Sequence, residues 1–86
     1  MAYSVVYKQS VARDLKRLSK AEGRRLLERI ERELPRKATN LPVLKGKFRG
    51  LRKYRCGPYR IIFAIRSDDL IVLRVGHRKD VYREEI

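Results

Sequence analysis

Basic residues in the second half of this 86-residue chain are the side chains best suited to chemistry, and their positive charge suits a phosphodiester. Strand alternation places Lys53, Arg60 and Arg78 on one exposed concave surface, with Tyr82 four residues further on. Cleavage of RNA through its own 2′-OH needs a base, stabilisation of a phosphorane and protonation of the 5′ oxygen. Fixed cations stabilise the phosphorane, and a Lys or Tyr crowded by cations has a lowered pKa suited to a base. Phosphate binding without catalysis fits the same residues, and the composition alone favours binding over catalysis.

The distribution of charge favours an anionic partner. The chain has 23 Lys and Arg residues against 10 Asp and Glu, a net charge of +13, and no acidic residue lies between Glu33 and Asp68. Such an excess is typical of proteins that bind nucleic acid, an acidic protein or a membrane surface. Five cations near Lys53 are therefore predicted to contact RNA: Lys45, Lys47, Arg49, Arg52 and Arg55.

Several classes of function fit the composition poorly. One histidine, His77, and one cysteine, Cys56, are too few for a zinc site, so no metal or other cofactor is expected. Cys56 is interpreted as an incidental small residue, and His77 as a strand-end residue facing away from Arg78. No apolar run is long enough to span a bilayer and no signal peptide is evident, which predicts a cytoplasmic protein without a membrane partner.

The elements that must position these cations follow from periodicity and turn signals. Residues 51–65 predict a hairpin, because Gly57 and Pro58 favour a turn and an apolar strand follows. Ser10 and Ser19 are predicted to cap two amphipathic helices, the second ending near Leu34 because Pro35 follows. The order is β-α-α-β-β-β. We therefore predict a single α+β domain over residues 1–86, with a helical hairpin packed on a mostly antiparallel four-stranded sheet.

The blocks GLRKYRCGPYRIIFAI and VLRVGHRKDVY, at their spacing in this chain, resemble the RelE/ParE toxin superfamily of toxin–antitoxin modules. The resemblance covers essentially the whole chain. It implies a RelE-like, microbial-ribonuclease-like fold and a toxin that cleaves mRNA in the ribosomal A site without a metal. It also implies a cognate antitoxin, and a toxin–antitoxin complex able to bind its operator DNA.

The resemblance also assigns roles to matched positions. Lys53 matches a catalytic lysine, Arg60 the arginine that stabilises the transition state, and Arg78 the arginine that stabilises or protonates the leaving group. Tyr82 matches the C-terminal tyrosine that orients the substrate and helps to deprotonate the 2′-OH. The chain departs from some RelE toxins at Leu51, where those toxins carry a further lysine. This departure leaves the identity of the base open.

Three functions remain in competition at this point. The first is a ribosome-dependent mRNA endonuclease, the second a ParE-type inhibitor of DNA gyrase, and the third an RNA-binding module without activity. The retained basic and tyrosine residues favour the first. An acidic, amphipathic antitoxin segment is expected to bind over the helices or the basic face, given the net charge of +13.

Overall fold

The computed structural model describes residues 3–46 and 50–77. In this part of the chain two α-helices and four strands occur in the predicted order, and a short 3₁₀ helix follows the second α-helix. The α+β fold and the helical pair on a mostly antiparallel sheet are therefore confirmed. The elements are β1 (Ser4–Tyr7), α1 (Gln9–Lys16), α2 (Lys20–Lys37), the 3₁₀ helix (Ala38–Asn40), β2 (Arg52–Cys56), β3 (Tyr59–Arg66) and β4 (Asp69–His77).

The two helices begin in different ways. At α2 the Ser19 hydroxyl accepts from the Glu22 backbone N–H at 3.1 Å, and the Glu22 carboxylate accepts from the Ser19 N–H at 3.3 Å. This is the reciprocal capping box that the sequence favours. The prediction of Ser10 as a cap is wrong, because α1 already begins at Gln9. Ser10 instead donates to the carbonyl of Leu73 at 2.6 Å and joins α1 to the sheet.

Helix α2 does not end at the residue before its proline. It continues through Pro35 to Lys37, and the Ala38 N–H bonds to the carbonyl of Leu34. Leu34, Pro35 and Ala38 are all buried, so packing against the core holds the last turn. The apolar environment thus offsets the one backbone hydrogen bond that proline cannot make.

The sheet has the strand order β1-β4-β3-β2. Strand β1 runs parallel to β4, whereas β3 pairs antiparallel with both β2 and β4. The ladder between β3 and β4 shifts register where Ile62 pairs with Arg74 and Phe63 pairs with Val72. Leu73 is therefore the extra residue of a β-bulge, and bulges bend a strand and re-aim its side chains.

Two apolar clusters occupy the two faces of the sheet. The larger lies between the sheet and the helices, and it includes Ile30, Leu34, Ile61 and Phe63, each fully buried. The smaller centres on Ile62 and Leu73 on the opposite side of the sheet, here called the back face, with partly buried Leu44, Leu51, Ala64 and Ile71 against it. Because side chains alternate along β3, Arg60 also belongs to the back face.

Helix α1 covers the edge of β4 that β1 is too short to reach. Along this edge the Lys8 N–H bonds to Val72 O at 3.0 Å, and Val75 N–H bonds to an oxygen of Asp14 at 3.0 Å. The Ser10 hydroxyl reaches the intervening carbonyl. These contacts satisfy backbone groups that would otherwise be left unpaired at a sheet edge.

Candidate functional site

The turn between β2 and β3 sets the geometry of the basic cluster. Strand β2 ends at Cys56 and β3 begins at Tyr59, so Gly57 and Pro58 form a two-residue connection, as predicted. Gly57 has φ +61°, a value that primed hairpin turns require and that glycine adopts without strain. The turn fixes the register in which Arg55 lies directly opposite Arg60.

Arg60 is buried rather than open to solvent. Its side of β3 is the predicted one, but only 6% of the residue is exposed, unlike the exposed surface expected from the sequence. Its Nη1 donates to the carbonyls of Gly57 at 3.1 Å and Tyr59 at 3.0 Å. Within residues 3–46 and 50–77 no carboxylate forms a salt bridge with Arg60. The guanidinium is thus held in place by neutral acceptors, and its charge remains available to an anion.

Lys53 and Arg55 lie on the same face as Arg60. Lys53 pairs with Ile62 and Arg55 with Arg60, and residues opposite one another across a ladder point to the same side. Arg55 is exposed and Lys53 is partly buried. Like charges directly opposite are destabilising, so the pairing of the two arginines favours an anion between or beside them.

The other predicted RNA contacts are dispersed or lie outside the described residues. Arg52 pairs with Phe63, which belongs to the helix-side cluster, and so lies on the other face from Lys53. Its Nη1 donates to the carbonyl of Leu41 at 2.7 Å and secures the preceding loop. Lys45 is exposed in that loop. Four further predicted residues fall outside the described part of the chain: Lys47, Arg49, Arg78 and Tyr82.

Leu51 has a packing role where some RelE toxins carry lysine. It lies partly buried against the cluster of Ile62 and Leu73 on the back face. Its carbonyl accepts from the N–H of Leu44 at 2.7 Å, which joins the loop to the start of β2. Leu51 therefore contributes apolar packing to the back face and supplies no cation.

A buried ion pair near the end of β4 was not found by sequence reasoning. Arg74 donates through Nε and Nη2 to the two oxygens of Asp14, each at 2.8 Å. Asp14 is 5% exposed and Arg74 3%. Asp14 appears in the sequence as one more polar residue of an amphipathic helix, and 60 residues separate the partners. The one clue in the sequence was the position of Asp14 on the helix. It lies three residues after the buried Val11, and therefore on the same side of α1.

The helix side of the hairpin carries tyrosines that bind glutamates of α2. The Tyr59 hydroxyl donates to Glu22, which raises the pKa of Tyr59 and lowers that of Glu22. The Tyr54 hydroxyl donates to Glu33 at 3.2 Å. The ring of His77 lies 5.0 Å from that of Tyr59, and the register places this pair on the face opposite Arg60. These contacts hold α2 across the hairpin and leave the back face to the cations.

Residues 3–46 and 50–77 contain no group of three His, Cys, Asp or Glu side chains arranged to hold a metal ion. Neither helix in that part of the chain has the length and apolar content that crossing a bilayer requires.

The fold places the molecule among toxins of toxin–antitoxin systems. The toxin–antitoxin complex RelBE2 from Mycobacterium tuberculosis contains a chain that matches with a TM-score of 0.83 and 26% identity, over 93% of this chain and 95% of that one. The RelE–RelB complex from Pyrococcus horikoshii OT3 matches with a TM-score of 0.63 and 30% identity, over 93% and 99% of the two chains. A chromosomal ParDE system from Pseudomonas aeruginosa matches at 0.67 with 14% identity, over 88% and 96%, and shows the fold alone.

The sequence gives the family directly. The family model described as ParE toxin of type II toxin–antitoxin system, parDE, matches residues 5–82. The chain therefore belongs to the RelE/ParE superfamily of toxins from type II toxin–antitoxin systems, as the sequence resemblance predicted. No curated protein matches the sequence.

Proposed function

We propose that this toxin is a ribosome-dependent mRNA endonuclease that cleaves mRNA in the A site. The observation that carries the proposal is the state of Arg60, which is 6% exposed, held by two turn carbonyls and free of any carboxylate partner among the described residues. A preorganised cation of this kind stabilises the charge that develops on a phosphorane. Arg74 provides a contrast, because Asp14 neutralises its charge.

The proposed reaction is an attack within the RNA itself. The 2′-oxygen forms a bond to phosphorus while the bond from phosphorus to the 5′-oxygen breaks, which leaves a 2′,3′-cyclic phosphate and a 5′-hydroxyl. One proton leaves the 2′-OH and one is delivered to the 5′-oxygen. Lys53 and Tyr82 are the two groups that could take the first proton, and Arg78 is proposed to assist the leaving group. Arg60 bears the negative charge of the phosphorane.

The charge of the rest of the chain supports recognition of RNA. Arg55 is exposed directly opposite Arg60, and Lys45 lies in the exposed loop that precedes β2. We propose that these cations, with Lys47 and Arg49, contact phosphates on either side of the reacting one. Arg52 is a weaker candidate because its guanidinium binds loop carbonyls. Contacts to phosphate make affinity fall steeply with salt, so this component is directly measurable.

The partner in the cell is proposed to be a cognate antitoxin. The similar chain from M. tuberculosis was solved in a toxin–antitoxin complex, and that from P. horikoshii in a RelE–RelB complex. A toxin with net charge +13 favours an acidic, amphipathic antitoxin segment, and the complex is proposed to bind operator DNA. If the affinity of the purified pair does not change between low and high salt, the electrostatic part of this proposal is wrong.

A cell-free translation reaction tests the nuclease. Purified toxin is added, and the 5′ ends of the mRNA are mapped with and without ribosomes. The expected result is a set of cuts in register with the reading frame that requires ribosomes and disappears with Arg60→Ala. Cuts that occur equally on naked RNA would contradict the dependence on the ribosome. RNA binding without cuts would support the non-enzymatic RNA-binding module.

Inhibition of DNA gyrase is the second candidate, and the match of residues 5–82 to the ParE toxin model favours it. A supercoiling assay with purified gyrase and relaxed plasmid separates the two activities. The nuclease proposal predicts undisturbed supercoiling at toxin concentrations that abolish translation. Intact mRNA together with blocked supercoiling would refute the nuclease and establish the gyrase inhibitor.

A further inference from the structure

The ion pair of Asp14 and Arg74 joins α1 to the last part of β4. Both oxygens of Asp14 accept from the Arg74 guanidinium at 2.8 Å, and Oδ2 also accepts from the Val75 N–H at 3.0 Å. One carboxylate thus binds the side chain of Arg74 and the backbone of the next residue, Val75. Asp14 is 5% exposed and Arg74 3%, so the contact is shielded from water.

The location of this pair connects it to the proposed site. Strand β1 pairs with β4 only as far as Val72, so the last five residues of β4 have no strand on that side. Within this stretch the Ser10 hydroxyl binds the carbonyl of Leu73, and Asp14 holds Arg74 and Val75, just after the bulge. On its other side Gly76 pairs with Arg60. The end of β4 is therefore fixed between Asp14 and the strand that carries Arg60.

A role in stability alone explains this arrangement poorly. Burying two charges costs desolvation that their attraction only partly returns, and apolar residues of similar size often serve stability equally well. What an apolar pair cannot provide is a fixed direction, because only the carboxylate binds the fork of Arg74 and the N–H of Val75 together. The ion pair is thus suited to setting the position of β4 more than to holding the fold.

We propose that Asp14 is a positioning residue that acts through Arg74 and the Val75 N–H to fix the end of β4 beside Arg60. The proposal rests on the proposed nuclease function. Its effect is expected on the rate of cleavage and not on binding to the ribosome, since Asp14 is buried between α1 and β4 and offers almost no surface to a bound molecule. A displacement of about 1 Å at a reacting group lowers rates by roughly a hundredfold, so the expected loss lies at about ten- to a hundredfold.

Two variants test the proposal. Asp14→Glu keeps the ion pair and every group on the back face, but its added methylene moves the carboxylate. The double variant Asp14→Leu/Arg74→Met removes both charges without leaving one unpaired. Both variants are expected to remain folded at the assay temperature. Each is expected to lower the single-turnover cleavage rate at saturating ribosomes at least about tenfold. The half-saturating ribosome concentration is expected to stay within about twofold of wild type.

A matched control removes a cation and a carboxylate from the exposed surface of the same molecule. Arg24→Met/Glu28→Gln also leaves the net charge unchanged, and both residues are exposed on α2. Its cleavage rate is expected to stay within about twofold of wild type, because exposed charges at this spacing contribute little. Should the double variant fail to fold, Asp14→Glu alone decides the test.

Amide hydrogen exchange separates this proposal from the nuclease proposal. The amides of residues 75–77 are expected to exchange at least about tenfold faster in both variants, with those of Ile61 and Phe63 unchanged. Folded variants that cleave at the wild-type rate overturn the proposal, and so does a loss of rate with full protection of residues 75–77. If the wild-type protein cleaves nothing, the nuclease proposal fails, and exchange at residues 75–77 alone decides whether Asp14 positions β4.

Discussion

Arg60→Lys is the substitution that examines the proposed site most directly. The guanidinium carries five N–H donors, and Nη1 directs its two at the carbonyls of Gly57 and Tyr59. Three donors, on Nε and Nη2, remain for two oxygens of a phosphate. A lysine ammonium has three donors in all, so two bonds to the same carbonyls leave it one. The substitution therefore keeps the charge and removes the bidentate contact.

The magnitude follows from this count. Loss of one donor to a developing oxyanion costs about 10²–10³ in rate, so Arg60→Lys is expected to lower cleavage at least roughly a hundredfold, equivalent to about 2.7 kcal/mol of the barrier. The free energy of unfolding should change by no more than about 1 kcal/mol, because the turn carbonyls keep a donor. Single-turnover cleavage on stalled ribosomes and urea denaturation measure the two quantities.

The control is Arg66→Lys, an exposed residue at the far end of the same strand. Its cleavage rate should stay within about twofold of the wild-type rate, because substitutions of exposed residues away from the core and from buried polar groups are close to neutral. Cleavage by Arg60→Lys at the wild-type rate would refute the role of the bidentate contact made by the Arg60 guanidinium. A loss of rate matched by an equal loss of folded protein would show that Arg60 acts on the fold instead.

Three further predictions concern stability and the C-terminal segment. Asp14→Asn removes the negative charge that pairs with the buried Arg74, and should lower the free energy of unfolding by about 3–5 kcal/mol in urea denaturation. Burial, and then Glu31, raise the pKa of Tyr7 to about 12, and its hydroxyl is buried without a hydrogen-bond partner among the described residues. The fold favours the neutral hydroxyl, so this group contributes to the free energy of unfolding. That contribution is complete below about pH 10 and is lost as the pH rises through 12. Tyr7→Phe should thus match or exceed wild-type stability at pH 7 and gain on it from pH 9 to about 11.5; equal loss in both proteins would contradict the assignment. Deletion of residues 81–86, which include Tyr82, should abolish cleavage with little change in the far-ultraviolet circular dichroism spectrum; a truncated protein that still cleaves would exclude a role for Tyr82.

The order of elements, the hairpin and the capping of α2 could be predicted because each depends on neighbours in the chain. Gly57 and Pro58 specify a turn through their own φ preferences, and Ser19 with Glu22 closes a capping box across three residues. Alternation along β3 was enough to place Arg60 and Ile62 on one face. The charge of the site is likewise a property of the composition.

Contacts between distant segments decided the rest. Pro35 lies inside α2 because the core packs against the last turn, and Ser10 binds Leu73 instead of capping its own helix. Strand alternation did not reveal the burial of Arg60, although the carbonyls that hold its guanidinium belong to Gly57 and Tyr59, only three and one residues away. Asp14 meets Arg74 because α1 covers the edge of β4 that β1 leaves open. The sequence alone determined which groups could act on a phosphate; the tertiary structure decided which cation is neutralised and which is left for an anion, because that depends on partners up to 60 residues away.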